Sequence, residues 1–423
     1  MITEKNKEAS RVPKTVLYIG IYSMILNFSS SIVYAHMGLF VKNSFGAGDK
    51  ALGIFEAVIV FASYASRLLS GVISDMLKNR KLLIFIGCLM IMASNILMAL
   101  STTIVLAFLS RLIGRVLHGT QSVARSALIG DVTDEHNRGK SYGMARSLGV
   151  IGSLCGVLGL YVLSRSVLKD ISIRHLFLWM SIPPLISAII VLFKIKEPKR
   201  KVLDTEQVDK SEDANNTTTK KRSFIEDLKG LDGKFWIFIT AIAMIYATNI
   251  SELIVMTSCI KECGRPDSDI SLVSAIFNLS SIMSAYCSGY LSDKINKYRV
   301  LLGACFVKFL AQILVSCSGT YPMFLMSIFM LGIPLISIQS VTEAIVADIA
   351  PKECRGTAFG IYNLVIALCT SIGISLFGFV IENHGFSNAV RTFSSLSFVV
   401  LVVLYVIFRI RSKASQAVKH DGV

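Results

Sequence analysis

Gly71-Val-Ile-Ser-Asp75-Met-Leu-Lys78-Asn79-Arg80-Lys81 and Gly289-Tyr-Leu-Ser-Asp293-Lys294-Ile-Asn296-Lys297-Tyr-Arg299 are one phrase written twice, 218 residues apart at their glycines and aspartates. A second pair of loops repeats at an offset of 217: Asp131, Arg138, Gly139 and Gly143 return as Asp348, Arg355, Gly356 and Gly360. Each copy stands where a long apolar run ends. A membrane chain made of two parallel copies builds two similar bundles that can rock against each other. The repeat therefore bears on fold, orientation and mechanism together.

Composition names the solvent. Of 423 residues, 53% are hydrophobic and 17% charged, whereas a soluble chain carries about 25% charge. In lipid every backbone polar group needs a partner within the spanning structure, so spans are helices or closed barrels. Apolar runs of roughly 20 residues without strict alternation select helices. Twelve spans are expected, near 15–41, 51–74, 82–101, 103–131, 140–164, 175–194, 236–258, 270–292, 300–318, 322–347, 357–381 and 390–410. The fold class is thus an all-α membrane protein with twelve transmembrane helices in two pseudo-symmetric six-helix bundles. The expected division is an N-terminal bundle over 1–194, a cytoplasmic linker over 195–235 and a C-terminal bundle over 236–423. The linker is rich in Lys, Asp, Glu, Asn and Thr and poor in large apolar residues, the composition of a flexible connector.

A net charge of +15 invites a nucleic-acid reading, but its distribution argues for topology. The termini, linker and even-numbered loops hold 29 of the 43 Lys and Arg residues, and the opposite loops hold eight. That imbalance places both termini in the cytoplasm of a multi-pass inner-membrane protein. Span 1 is expected to serve as a retained signal anchor. The nine cysteines are scattered, and no His/Cys spacing suits a metal. Neither a metal nor a cofactor is expected, and a monomer suffices for this architecture.

Span 4 carries the most informative face. Arg111, Arg115, His118, Ser122 and Arg125 recur at spacings of 4, 3, 4 and 3, which keeps them on one side of a helix. Arginines at membrane depth are costly and face a wet cavity or a partner. Candidate acids are Glu56 in span 2, Glu252 in span 7 and Glu343 in span 10. Desolvation favours the neutral form of a carboxyl group, so an acid in such a place can carry a proton or can simply neutralise an arginine. Glu252 is the preferred coupling candidate because Asn249 stands one turn before it. Gly149, Gly152, Gly156 and Gly159 give span 5 a smooth face for close helix approach, expected here between the bundles.

The two quoted loops resemble the signature loop of the major facilitator superfamily, Gly-x-x-x-Asp-(Arg/Lys)-x-Gly-(Arg/Lys)-(Arg/Lys). The second copy fits through Gly289, Asp293, Lys294 and Lys297; in the first, Met76 and Lys78 depart from the pattern. Arg115-Val-Leu-His118-Gly119 resembles the Arg-x-x-Gln-Gly motif of proton-coupled members, with His118 at the glutamine. The resemblance implies that spans 1, 4, 7 and 10 line a central cavity. Asn27, Tyr34, Arg111, Arg115, His118, Asn249, Glu252 and Gln339 are then its candidate substrate and coupling groups. It also implies a cytoplasmic gate formed by Gly71, Asp75, Arg80, Asp131, Arg138, Arg146, Gly289, Asp293, Lys294, Asp348 and Arg355. The bland alternative for the gate charges is topology anchoring alone.

The expected activity is secondary active transport by rocking, without ATP hydrolysis, since no Gly-x-x-x-x-Gly-Lys-(Ser/Thr) loop occurs. The arginine stripe points toward an anionic or zwitterionic metabolite, with a coupling proton and the bilayer as the other partners. A proton-coupled exporter of drug-like compounds is the alternative within transport. A non-transporting sensor on the same scaffold is the alternative outside it, and no nucleophile–base constellation suggests an enzyme.

Overall fold

A computed structural model describes residues 13–77, 79–133, 138–166, 171–195, 230–351 and 354–420. Fourteen α-helices follow one another: α1 Lys14–Phe45, α2 Asp49–Leu77, α3 Arg80–Ala99, α4 Ile104–Val132, α5 Arg138–Ser166, α6 Ile173–Trp179, α7 Ile182–Lys194, α8 Gly233–Ala247, α9 Glu252–Glu262, α10 Ile270–Lys294, α11 Lys297–Cys317, α12 Tyr321–Ile349, α13 Arg355–His384 and α14 Phe386–His420. No strand occurs among the described residues. The expected twelve spans are present, but two are cut. Span 6 is α6 plus α7, and span 7 is α8 plus α9.

The cuts have local causes. α7 starts with Pro183 and Pro184 in its first turn, where missing N–H groups cost nothing. α9 starts afresh because the Ser251 hydroxyl accepts the Ile254 N–H at 3.0 Å. Carbonyls freed at such cuts need donors in the absence of water. At the first cut Ser29 and Asn95 donate to the Met180 carbonyl at 2.5 and 2.8 Å. At the second, Gln312 donates to the Thr248 carbonyl at 3.1 Å.

The duplication reaches atomic detail. Asn79 caps α3 by accepting the Leu82 N–H at 2.9 Å, and Asn296 caps α11 by accepting the Tyr298 N–H at 2.9 Å. The next residue in each copy reaches an aspartate ending the following span: Arg80 pairs with Asp131, and Lys297 pairs with Asp348 at 2.6 Å.

Nine helical segments among the described residues are long and apolar enough to cross a membrane. α4 is not one of them, because Arg111, Arg115 and Arg125 lower its hydropathy. Its Arg111 is buried among its neighbours, while Val105, Leu109 and Ile113 are exposed.

The glycine face of α5 packs against α1, within the N-terminal half, and not between the bundles as expected. A Cβ on Gly152 would lie 2.0 Å from the Met24 carbonyl oxygen, and one on Gly156 2.5 Å from the Phe28 carbonyl oxygen. The seam between halves uses other glycines: a Cβ on Gly53 of α2 would meet the Gly378 Cα of α13 at 3.1 Å. Gly152→Val is therefore expected to prevent α1 and α5 from docking and to abolish a folded, monodisperse product. Gly159→Ala, with no atom within 4 Å of its new methyl, is expected to elute and melt as the parent protein does. Size-exclusion profiles and thermal melts in detergent check the contrast.

The three largest apolar cores among the described residues organise the rest. One large core takes Phe40 and Phe55 from the first half together with Leu253, Phe277 and Phe377 from the second. It lies on the face away from the chain ends. On the terminal face the cores are separate. One, around Tyr22 and Leu128, belongs to the first half. The other, around Phe238 and Tyr362, belongs to the second, with Tyr64 of α2 against it. Among the described residues the halves thus share one core at the face away from the chain ends, while at the terminal face each has its own, with Tyr64 the point of contact.

Candidate functional site

Between the halves lies a cavity of about 210 Å³. Its polar lining comes from both copies: Tyr34, Glu56, Arg111 and Arg115 from the first, Asn249, Glu252, Lys308 and Gln339 from the second. Six of the eight predicted cavity residues, Tyr34, Arg111, Arg115, Asn249, Glu252 and Gln339, therefore share one wall system, while His118 lines a small cleft of about 20 Å³ that also touches Arg111 and Arg115. Asn27 departs from expectation. Its amide donates to the Gly149 carbonyl at 3.1 Å, so it bonds α1 to α5 instead of facing the cavity, a common use of polar residues in lipid.

The two acids meet across the interface. The Tyr34 hydroxyl lies 2.6 Å from Glu252 Oε1 and 3.1 Å from Glu56 Oε1. The Ser251 hydroxyl donates to Glu56 Oε2. A carboxyl group of α2 is thereby tied to the cut in span 7, and a carboxyl group of α9 to α1. Glu343, the third candidate, instead accepts from Gln339 at 3.0 Å and lies outside the cavity lining.

The arginines are arranged differently. Arg111 and Arg115 hold their guanidinium carbons 5.7 and 5.9 Å from the centre of the Tyr34 ring, within range of a cation–π attraction. Among the described residues neither forms an ion pair, and Arg111 Nε is buried without a hydrogen-bond partner. Arg125, the third member of the stripe, points elsewhere and donates to Ser23 and Ser122 at 3.1 and 3.3 Å.

Lys308 was not anticipated. This buried ammonium donates to the Ile245 carbonyl at 2.7 Å, Thr248 Oγ1 at 2.9 Å and Asn249 Oδ1 at 2.7 Å. Its three N–H groups are all used, so it holds the end of α8 at the cut. Its signal in the sequence was a lone lysine in an apolar span, four residues before Gln312.

Among the described residues, polar contacts join the halves on the face away from the chain ends. Arg165 and Arg265 grip the buried Asp269 at 3.2 and 2.9 Å, and the second of these bonds raises the Arg265 guanidinium above its ordinary pKa. Asn43 donates to Asp267 at 2.8 Å, and the Lys50 N–H to Glu382 at 3.0 Å. Lys42 pairs with Asp49 at 2.5 Å and reaches Ser258 at 3.3 Å. On the terminal face, Asp131 and Asp348 are each paired inside their own half. Arg146 and Lys294 are exposed there. The side chains of Gly71, Asp75, Arg138, Gly289, Asp293 and Arg355 lie outside the described residues.

A family model of the Major Facilitator Superfamily matches residues 19–259 and again 235–422. A curated relative from Methanocaldococcus jannaschii, described as an uncharacterised MFS-type transporter, is 24% identical over 387 residues, covering 88% of this chain and 90% of its own. The fold is similar to that of a variant of the nucleoside transporter NupG, with a TM-score of 0.76 at 14% identity, over 93% of this chain and 100% of that one. It is also similar to a POT family transporter in complex with 5-aminolevulinic acid, with a TM-score of 0.75 at 12% identity, over 93% and 96% of the two chains.

Proposed function

The chain belongs to the Major Facilitator Superfamily, and on that premise we propose that it is a proton-coupled secondary transporter of a small anionic or zwitterionic solute. One observation carries the choice of solute. Arg111 and Arg115 line a cavity between the halves without an ion-pair partner among the described residues. Charged groups at membrane depth are paired or face a wet cavity. A carboxylate or phosphate entering from water would give both guanidinium groups that partner, through charge-assisted bonds.

In this reading the halves over 1–194 and 236–423 rock about the cavity, joined by a cytoplasmic linker over 195–235. With both termini in the cytoplasm of the inner membrane, the face with the shared core is external and the structure is inward-facing. Rocking then means exchanging the external contacts for contacts between the paired loops of the terminal face. Solute and proton shift that balance only through unequal affinity for the two facing states. The nucleoside and POT transporters of similar fold support a solute of metabolite size.

Two experiments test this reading. The first is uptake of a panel of labelled organic anions into proteoliposomes under an imposed proton gradient. Gradient-dependent flux of at least one anion is expected; flux of hydrophobic cations alone would favour a drug exporter. The second joins Asn43→Cys to Asp267→Cys with a short thiol cross-linker in a background without other thiols. Cross-linking is expected to stop flux while the anion still raises the melting temperature. Undiminished flux in the cross-linked protein would overturn rocking about this face.

A further inference from the structure

We propose that Glu56, Tyr34 and Glu252 form one proton site that holds a single proton between two carboxyl groups and exists only while the halves are joined. The inference rests on the transport reading above and assigns its coupling proton to a place.

The argument counts hydrogens. The Tyr34 hydroxyl has one proton and two carboxyl oxygens within bonding distance, Glu252 Oε1 at 2.6 Å and Glu56 Oε1 at 3.1 Å. One proton serves one of them. The shorter contact marks Glu252 as its acceptor. The contact with Glu56 then needs a proton of its own, donated from the Glu56 carboxyl to the Tyr34 oxygen. The other Glu56 oxygen accepts from Ser251, whose oxygen accepts the Ile254 N–H at 3.0 Å. The bonding pattern closes with one carboxyl group protonated and one ionised.

That chain can run in reverse. The Glu56 O–H bond breaks and its proton passes to the Tyr34 oxygen. Tyr34 gives its original proton to Glu252. The result is ionised Glu56 and protonated Glu252, with no change in total charge. Neighbouring charges come from α4 and α11. Arg111 and Arg115 lie against the Tyr34 ring, and Lys308 is committed to α8 and Asn249. His36, one residue pair further along α1, bonds to the Ile32 carbonyl at 3.1 Å and faces Ser271 at 3.4 Å.

The site crosses the interface twice, through Tyr34 to Glu252 and through Ser251 to Glu56. Parting the halves at this face breaks both links and lets water solvate each carboxylate, so the shared proton leaves to that side. Proton occupancy and closure of this face are then one event.

Infrared spectroscopy of the purified protein at neutral pH, in H₂O and D₂O, reads the proton without any substrate. One protonated-carboxyl band is expected in the parent protein. It should vanish in Glu56→Gln and in Glu252→Gln, since the remaining acid then takes the Tyr34 hydrogen bond as a carboxylate. Tyr34→Phe should shift its frequency. No band in the parent, or a band that survives either glutamine variant, overturns the shared site. An unshifted band in Tyr34→Phe overturns the bridging role. Helicity and elution profile control for folding, and Tyr34→Phe keeps the test open should a glutamine variant misfold. A protein with the band but no flux would count against the transport reading and leave the proton site standing.

Discussion

Arg115→Gln protein is expected to bind organic anions roughly tenfold to a hundredfold more weakly than the parent. A hydrogen bond between charged groups contributes about 1.5–3 kcal/mol, and about 1.4 kcal/mol is a factor of ten. Arg115 lies on the cavity wall beside Arg111 and forms no ion pair with a carboxylate of the described residues. A ligand that prefers the folded form raises its melting temperature by mass action. Titrating a panel of anions against the parent and Arg115→Gln proteins in a thermal-shift assay gives the comparison. Arg111→Gln should show the same direction. Neutral solutes should be bound equally by parent and variant. Equal stabilisation by anions across all three proteins would remove the arginine pair from substrate recognition.

Lys308→Met is the most destabilising change expected in the second half that leaves the backbone alone. It orphans the Ile245 carbonyl, Thr248 Oγ1 and Asn249 Oδ1 at once. An unsatisfied buried group costs about 1–3 kcal/mol, while interhelical hydrogen bonds in membranes average less. Removing a buried ammonium also relieves its desolvation. The net expectation is a loss of roughly 2–3 kcal/mol, read from reversible unfolding in mixed micelles. Lys308→Arg, which keeps charge and donors but not shape, should fall between. If Lys308→Met unfolds at the same denaturant fraction as the parent, the lysine does not hold the cut in span 7.

The spans were legible because an apolar run, its charged ends and the loop phrases all agree. Asn79 and Asn296 show how far this goes: both are caps, and both sit in the repeated loops. The cavity was legible in part. Arg111 and Arg115 reach it, whereas Arg125 shares their helix face but lies further along α4, beside Ser23. A stripe on a helix is longer than the cavity it borders, and periodicity cannot say where the cavity stops. The cut in span 7 was hidden for another reason. The apolar runs on either side carry the average hydropathy across the polar Thr248-Asn-Ile-Ser251, and the Ser251-Glu252 pair hints at a new helix start. Lys308 and Glu56 were visible as charges in apolar runs. Their shared attachment to that cut depends on tertiary contact, which one sequence does not record. The glycines of α5 show the same limit, since a smooth face does not name the helix that will lie on it.

The interruption between α8 and α9 gives the molecule a joint. α9 spans eleven residues from Glu252 to Glu262, a rod of about 16 Å. Lys308 and Gln312 anchor the chain on one side of the joint, and Ser251 fastens the other side to the opposite half. Such a rod can swing while α8 stays put. In the proposed transport cycle, sealing a solute would need only the tilt of this short lever, ahead of any wholesale rotation.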